Sequence, residues 1–374
     1  MDTIFINQPI IAVNATALNS GGGRCILQQF ISYLSADKMY YIFINKGSDI
    51  NKSSFKNVCF IEIDASNGLK RTLWEWFGLK RWFKNQKLVP TVTISLQNTS
   101  IATHKKSKKI IYLHQGIFLH PHKWSFFKKN ERALAFYKYI YPFFVFLFAN
   151  KNTLFIVQTE WMKVALCNKF KRAENSVQVI KPKLVSIDVE NIKTLPLSFE
   201  RSLFYPAACF VYKNHREIIY ALNELQNRGV DISTIGVYLT IAEDDDTALS
   251  QLIHRFNLRK NVQFLGSLCY EDVLIYYKSC NVVVFPSLIE SFGLPLLEAA
   301  AFGKPIIALD AEYSRDVISD YEDVQFADKH SPKAWGDAIL RSFTFVPLLK
   351  AHTPTYETNW DSFFKLIDEK MRVG

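Results

Sequence analysis

Two carboxylates, Glu290 and Glu298, stand with seven residues between them in PSLIESFGLPLLEAAAFGKP, from Pro286 to Pro305. The apolar run Val282-Val283-Val284-Phe285 before them reads as a buried strand of a parallel sheet. Pro286 stops that strand, and Pro295 suits the first position of a helix, where its missing N–H costs nothing. Leu296 to Phe302 favours helix, and Gly303-Lys304-Pro305 is a stop signal. Glu290 is therefore expected in a loop at the carboxyl edge of a sheet, where open α/β folds bind ligands. Glu298 falls in the opening turn of the following helix. The N–H groups around Gly293 to Leu297 would lie at that helix N-terminus and favour an anion. An isolated Glu pair would more simply be a solvated loop residue and a complement to a helix dipole. The strand–loop–Pro–helix setting favours a site.

The elements that must carry this loop fill a chain of 374 residues, enough for two domains of about 150–200 residues each. Residues 1–180 hold 25 Lys+Arg and 9 Asp+Glu, a balance of +16; residues 181–374 hold 20 and 26, a balance of −6; together they give the net +10. The basic half should face an anionic partner: membrane, nucleic acid or phosphorylated acceptor. The six cysteines are scattered without a Cys-x-x-Cys pair. That fits a reduced cytoplasmic protein and argues against a zinc site or disulfide scaffold. The N-terminus lacks the pattern of a signal peptide.

The N-terminal half alternates strand-like and helix-like segments. Ile10–Ala15 predicts a strand, Asn19–Gly23 a glycine loop, and a helix runs from about Arg24 to Leu34. Further strands are expected at Tyr41–Ile44, Cys59–Ile63, Thr91–Ser95, Ile110–Leu113 and Leu154–Gln158, the pattern of a doubly wound sheet. Asp188 to Glu200 reads as an interdomain linker. A second series follows: strands Leu203–Tyr205, Ile235–Thr240, Val262–Leu265, Val282–Phe285 and Ile306–Leu309, with helices 214–228, 247–257, 271–279 and 295–302. Trp360 to Met371 has apolar residues at helical spacing and reads as a final amphipathic helix. The apolar run in Leu134–Ala149 is interrupted by Lys138 and Pro142 and is shorter than the ~20 residues of a spanning helix. It reads as a buried helix.

FPSLIESFGLPLLEAAAFGKPIIA resembles the donor-site signature of the retaining glycosyltransferases of family 4, the glycosyltransferase group 1 domain. NVQFLGSLCYEDVLIYYKSCNVVVFPS and FYPAACFVYKNHREIIYALNEL are similar to other parts of that domain. NSGGGRCILQQF, YLHQGIFLHP and VQTEWMK carry weaker marks of its partner domain. The resemblance implies an α/β chain of GT-B architecture, two Rossmann-like doubly wound domains facing a central cleft. Residues 1–185 would be the acceptor-binding domain and 200–355 the nucleotide-sugar domain, with a C-terminal helix at 358–374 packed back on the first.

By the same resemblance Glu290 would hold the donor sugar and Glu298 the nucleotide ribose, since a carboxylate accepts from vicinal hydroxyls with charge-assisted strength. Backbone N–H groups of Phe292, Gly293 and Leu294 would face sugar and phosphates. Lys213 would meet the diphosphate as a point charge. The family's Arg five residues upstream is replaced by Ala208, leaving the clamp incomplete or completed by another cation such as Arg216. Gly22 and Gly23 would bring backbone N–H groups to donor or acceptor, unless the triplet is a plain flexible turn. His114 would lie near the anomeric carbon, with Gln115 where an Asp commonly follows; a satisfied structural histidine is the alternative. The catalytic set implied is thus His114, Lys213 and Glu290. His120 and His122 lack a third metal ligand. Glu243-Asp244-Asp245-Asp246 reads as a solvated loop capping a helix from Thr247. The implied enzyme is a retaining, metal-independent hexosyltransferase without cofactor, using a UDP- or GDP-linked sugar in surface polysaccharide or lipopolysaccharide synthesis. A catalytically silent nucleotide-sugar-binding partner of another transferase is the alternative.

In the basic half, Leu69–Trp76, Lys80–Lys84 and Lys123–Lys129 mix cations with aromatics and suit an anionic membrane surface. Leu73, Trp76, Phe77 and Phe83 could equally be the buried face of a core helix. No nucleic-acid-binding motif is present, so the expected acceptor is a saccharide, free or lipid-linked, at the inner face of the cell membrane.

Overall fold

The computed structural model describes residues 8–19, 21–50, 56–183, 187–344, 351–352 and 359–372. Ser20 of the glycine loop, and the expected ends of the last helix at 358 and 373–374, lie outside the described residues. The chain divides into two compact units, Met1–Lys183 with Tyr356–Gly374, and Leu184–Thr355.

The first unit is a seven-stranded parallel sheet. Its strands are β1 (Ile10–Asn14), β2 (Met39–Asn45), β3 (Val58–Ile63), β4 (Val92–Ser95), β5 (Lys108–Tyr112), β6 (Leu154–Val157) and β7 (Val177–Val179), in the order β3-β2-β1-β4-β5-β6-β7. The strands β1, β4 and β6 are buried on both faces, as a helix-covered parallel sheet requires. The order reverses between β1 and β4, so the crevice at their carboxyl ends is the natural ligand position. Helices α1 (Gly21–Ser32), α2 (Gly68–Leu73), α3 (Leu79–Asn85), α4 (Arg132–Tyr139), α5 (Tyr141–Phe146) and α6 (Glu160–Phe170) surround it.

Three expectations change here. Gly21, Gly22 and Gly23 form the first turn of α1 rather than a loop before it. The run Leu134–Ala149 is not one buried helix. It breaks at Ile140 into α4 and α5, because Pro142 cannot donate into a continuing ladder. Several of its large apolar side chains are solvent-exposed, including Phe136, Tyr139, Ile140 and Phe143. The helical segment 68–85 is split in its duties: Leu79 and Phe83 are core, whereas Leu73 and Phe77 face solvent.

The second unit has strands β8 (Arg201–Tyr205), β9 (Ile235–Leu239), β10 (Val262–Phe264), β11 (Val282–Phe285), β12 (Ile306–Leu309) and β13 (Val324–Ala327), ordered β10-β9-β8-β11-β12-β13 and all parallel. Its helices are α7 (Arg216–Asn227), α8 (Thr247–Arg255), α9 (Tyr270–Ser279), α10 (Leu294–Ala301), α11 (Glu312–Ile318) and α12 (Pro332–Thr344). The order reverses between β8 and β11. Helix α13 (Trp360–Arg372) belongs to the first unit, where Trp360, Phe363, Phe364 and Ile367 join the core formed by Ile11, Phe30, Tyr112 and Ile156. Trp360 stacks on Tyr112 at 5.5 Å, and its indole N–H donates to Gln29 Oε1 at 2.7 Å.

Candidate active site

The reversal between β8 and β11 explains why residues 77 positions apart meet. Lys213 follows β8 on a short 3₁₀ turn, Val211–Lys213, and Glu290 lies in the loop after β11. The Lys213 ammonium donates to Glu290 Oε1 at 2.5 Å, with both side chains about 85% buried. Asn214 takes the left-handed conformation, φ 56°, which turns the chain from the lysine into α7. The Tyr205 hydroxyl donates to the Lys213 carbonyl at 2.7 Å, fixing the backbone that carries the ammonium. A paired lysine and glutamate are each already desolvated, so a phosphate and a sugar hydroxyl could replace partners rather than water.

Gly293 opens α10 with φ 101°, a conformation in which a Cβ is strained. It re-aims the chain so that α10 starts at Leu294-Pro295, with its N-terminal N–H groups toward the sheet edge. Phe292 is core by its side chain, so only its backbone is available to a ligand. Glu298, one turn into α10, is largely buried, which pushes its carboxyl pKa up. Both of its oxygens have a tyrosine partner: Tyr270 Oη at 3.2 Å from Oε1 and Tyr277 Oη at 3.1 Å from Oε2. Neither tyrosine stood out in the sequence, where each reads as an ordinary apolar-face residue. Their spacing of seven, which aligns both hydroxyls along one helix face, was the available signal.

Arg216, the candidate for completing the clamp, has its guanidinium 3.4 Å from Asp246. The acidic run has local work instead. Asp246 caps α8 by accepting from Ala248 N and Leu249 N, Asp245 accepts from Ala242 N, and Glu243 pairs with Arg259 at 3.0 Å. Among the described residues no three His, Cys, Asp or Glu side chains converge as metal ligands. His120 Nδ1 accepts from the His122 backbone N–H, and the His122 ring packs against Trp124.

The other candidates lie in the first unit, at the carboxyl ends of β1, β4 and β5. His114 follows β5; its Nε2 lies 3.0 Å from the Leu96 carbonyl, and its backbone N–H donates to Asn98 Oδ1 at 2.6 Å. Burial lowers the imidazole pKa to about 4, so the ring is neutral at neutral pH; Nε2 lies between the Leu96 carbonyl and, at 3.2 Å, the Asn98 amide nitrogen, and pairs with the first when it carries the proton and with the second when it does not. Beside it runs a network that the sequence did not reveal. Buried Glu75 accepts from Gln97 Nε2 and Thr99 Oγ1, both at 2.5 Å, and Gln97 Oε1 accepts from Ala17 N. Glu75 sits in a single π turn, Trp74–Gly78, between α2 and α3, and burial pushes its pKa up. The turn also lets the Trp74 indole N–H reach Asn14 Oδ1 at 3.1 Å. Gly22 and Gly23 sit at the start of α1; a Cβ on Gly22 would meet nothing within 4 Å, whereas one on Gly23 would press on Leu18 at 3.1 Å. The structure thus gathers Lys213, Glu290, Gly293, Leu294 and Glu298 on one sheet edge, and gathers His114 with Asn98 and Leu96 on another.

Comparison with known proteins agrees with this division. Residues 193–344 match the family model described as "Glycosyl transferases group 1". An uncharacterized glycosyltransferase of Methanocaldococcus jannaschii is 25% identical over 227 residues, covering 56% of this chain and 57% of that protein. The chain spans between 21% and 59% of the length of the curated relatives it matches. A Rickettsia africae glycosyltransferase structure has a TM-score of 0.67 at 14% identity, covering 98% of this chain and 100% of that one. The Anabaena HepE structure in complex with UDP and glucose has a TM-score of 0.63 at 15% identity, covering 97% and 99%. At such identities the structural likenesses establish the fold, two parallel-sheet Rossmann-like domains of the GT-B kind. The sequence match is confined to residues 193–344, most of the second unit, which are similar to the glycosyl transferases group 1.

Proposed function

We propose that the protein is a retaining, metal-independent glycosyltransferase that moves a sugar from a nucleotide-sugar donor to a saccharide or lipid-linked saccharide acceptor. The observation that carries this reading is the Lys213–Glu290 pair at the switch point of the second sheet, beside the N-terminus of α10 that bears Glu298. Lys213 and the helix N-terminus suit a diphosphate; Glu290 suits sugar hydroxyls; Glu298 suits the ribose. In the proposed step the bond from the anomeric carbon to the diphosphate oxygen breaks. The acceptor oxygen bonds to that carbon on the same face, and its proton passes to the departing phosphate oxygen. Lys213 stabilises the charge that develops there. For His114, neutral, we propose the role of a hydrogen-bonding group rather than of a proton donor. The local partners of Glu243, Asp245 and Asp246 support transfer without a divalent metal.

The acceptor side is read from the first unit. A groove of about 740 Å³ is lined by Trp76, Phe77, Lys80, Arg81, Lys84, Lys109 and Phe148. Close by in sequence, the α4–α5 segment exposes Phe136, Tyr139 and Phe143. No helix among the described residues is long and apolar enough to cross a membrane. Cations beside exposed aromatics suit an anionic leaflet. A peripheral place on the inner face of the cell membrane, in the synthesis of a surface polysaccharide or lipopolysaccharide, is the setting we propose.

One observation favours the rival, a catalytically silent donor-binding partner: Ala208 stands where a second cation is expected, and Arg216 is held by Asp246. Turnover of a nucleotide sugar by the isolated chain in excess chelator separates the two. Product NMR then tests stereochemistry: an inverted anomeric centre refutes retention, and activity restored only by manganese refutes metal independence.

A further inference from the structure

We infer that Tyr277, assisted by Tyr270, is the positioning residue that aims the Glu298 carboxylate, and so sets discrimination between ribose and 2′-deoxyribose in the donor nucleotide. The inference rests on the reading above that Glu298 receives the ribose.

A carboxylate can accept from two vicinal hydroxyls only when its plane faces the diol. On an isolated glutamate, rotation about the last side-chain torsion is soft and roughly two-fold. Here that rotation is fixed from two sides. Tyr277 is fully buried; its ring stacks on Phe302 at 5.7 Å and meets Phe204 edge-on at 5.4 Å. Its hydroxyl therefore occupies one point, 3.1 Å from Glu298 Oε2 and 3.1 Å from the Pro295 carbonyl. Its single proton is shared between these two acceptors, so the hydroxyl sits between the carboxylate and the backbone of the first turn of α10. Tyr270, first residue of α9 and 44% exposed, reaches Oε1 at 3.2 Å. Each carboxylate oxygen can take two hydrogen bonds, so one tyrosine on each leaves one position on each for a ligand hydroxyl. A carboxylate set this way fits a 2′,3′-diol. It loses one partner, without a replacement, when the 2′-hydroxyl is missing. The arrangement also divides the work: Tyr277 is built into the core and permanent, whereas Tyr270 sits at the rim.

The test is calorimetric titration of the full chain with UDP and GDP, each beside its 2′-deoxy counterpart, for wild type, Tyr277→Phe, Tyr270→Phe and Glu298→Ala. The tighter-binding base is carried forward. Wild type is expected to prefer the ribonucleotide by at least about tenfold. Glu298→Ala should abolish that preference. Tyr277→Phe should reduce it about fivefold while changing deoxynucleotide affinity less than about twofold, and Tyr270→Phe should reduce it by about half that factor. A residue that only supports the fold would weaken both nucleotides alike and leave the ratio unchanged. If Glu298→Ala loses the preference and Tyr277→Phe keeps it, the positioning inference is overturned and the ribose reading stands. If Glu298→Ala itself keeps the preference, or neither ribonucleotide binds wild type, the ribose reading fails and the inference with it. Should Tyr277→Phe not fold, the half-exposed Tyr270→Phe decides: an unchanged ratio there overturns the inference.

Discussion

The two units share a parallel-sheet plan and a strand order that reverses once, yet they hold their polar groups differently. In the second unit the groups at the reversal are opposite charges in contact, Lys213 with Glu290, and a carboxylate held by two tyrosines. In the first, the groups at the reversal are amides, hydroxyls, a neutral histidine and buried Glu75, closed on one another. Its charge lies elsewhere, in the basic groove beside Trp76 and Phe77. Under the proposed function, a diphosphate and a ribose would be fixed chemical demands met by charged residues at a sheet edge, and recognition of an acceptor or a membrane would spread over shape and surface charge.

The comparison can be broken most severely at Lys213. Lys213→Met should lower kcat/KM about 10²–10³-fold, as loss of one charge stabiliser at a leaving group does. It should also cost about 3 kcal/mol of stability, because Glu290 is left buried without its partner. Adding Glu290→Gln should recover much of that stability and none of the activity. Steady-state kinetics and denaturant unfolding of both variants check this.

Reversing three charges in the first unit, Lys80→Glu, Arg81→Glu and Lys84→Glu, tests the other side. At about 1 kcal/mol per basic residue near an anionic surface, partition onto phosphatidylserine vesicles should fall by at least about 100-fold, since reversal adds repulsion to the lost attraction. Binding of a nucleotide sugar by the second unit should be unaffected. Equal flotation with neutral vesicles, or no binding by wild type, removes the membrane half of the comparison.

Acid should weaken both units. His114 and His215 each have a pKa lowered to about 4 by burial, from 6.5. A depressed pKa contributes stability that is present above 6.5 and is lost as pH falls toward 4, at most about 3 kcal/mol per histidine. Melting temperature should therefore drop across that window. His215→Gln should flatten the drop in the second unit and His114→Gln in the first, read by proteolysis of each unit.

The smallest effect separates the glycines. Gly293→Ala forces a Cβ into φ 101° and should cost about 1–3 kcal/mol. Gly22→Ala, in a helical turn with nothing within 4 Å, should be neutral or stabilising by up to about 1 kcal/mol. Thermal melts of the two variants are enough.

Much of the second unit was legible because apolar runs bounded by turn residues coincide with its strands; Val282–Phe285 and Ile306–Leu309 are observed with the bounds read from sequence. The Asp246 cap was legible for the same local reason. What escaped depends on tertiary context. Gly21–Gly23 carries no local signal that a helix begins there. β7 is only three residues long, too short to show a period. The stretch after Leu309 adds α11, β13 and α12, whose mixed polarity hid their roles. The exposed side of α4–α5 looked buried because hydrophobicity alone does not say which neighbour covers a residue. In the site, Lys213 and the glutamates were legible through motif and spacing. The tyrosines that hold Glu298 share one face of α9, but that α9 lies against α10, like the network around Glu75, is set by tertiary packing and has no linear pattern.

The central claim is that the second unit binds a nucleotide sugar through Lys213 and Glu290. Its most direct test is a thermal-unfolding screen of the purified chain against UDP- and GDP-linked sugars, with the Lys213→Met/Glu290→Gln variant alongside. One donor, at about 100 times its Kd, should stabilise wild type by about 2.7 kcal/mol and leave the variant unmoved. Stabilisation of the variant to the same degree, or of neither protein by any nucleotide sugar, would contradict it.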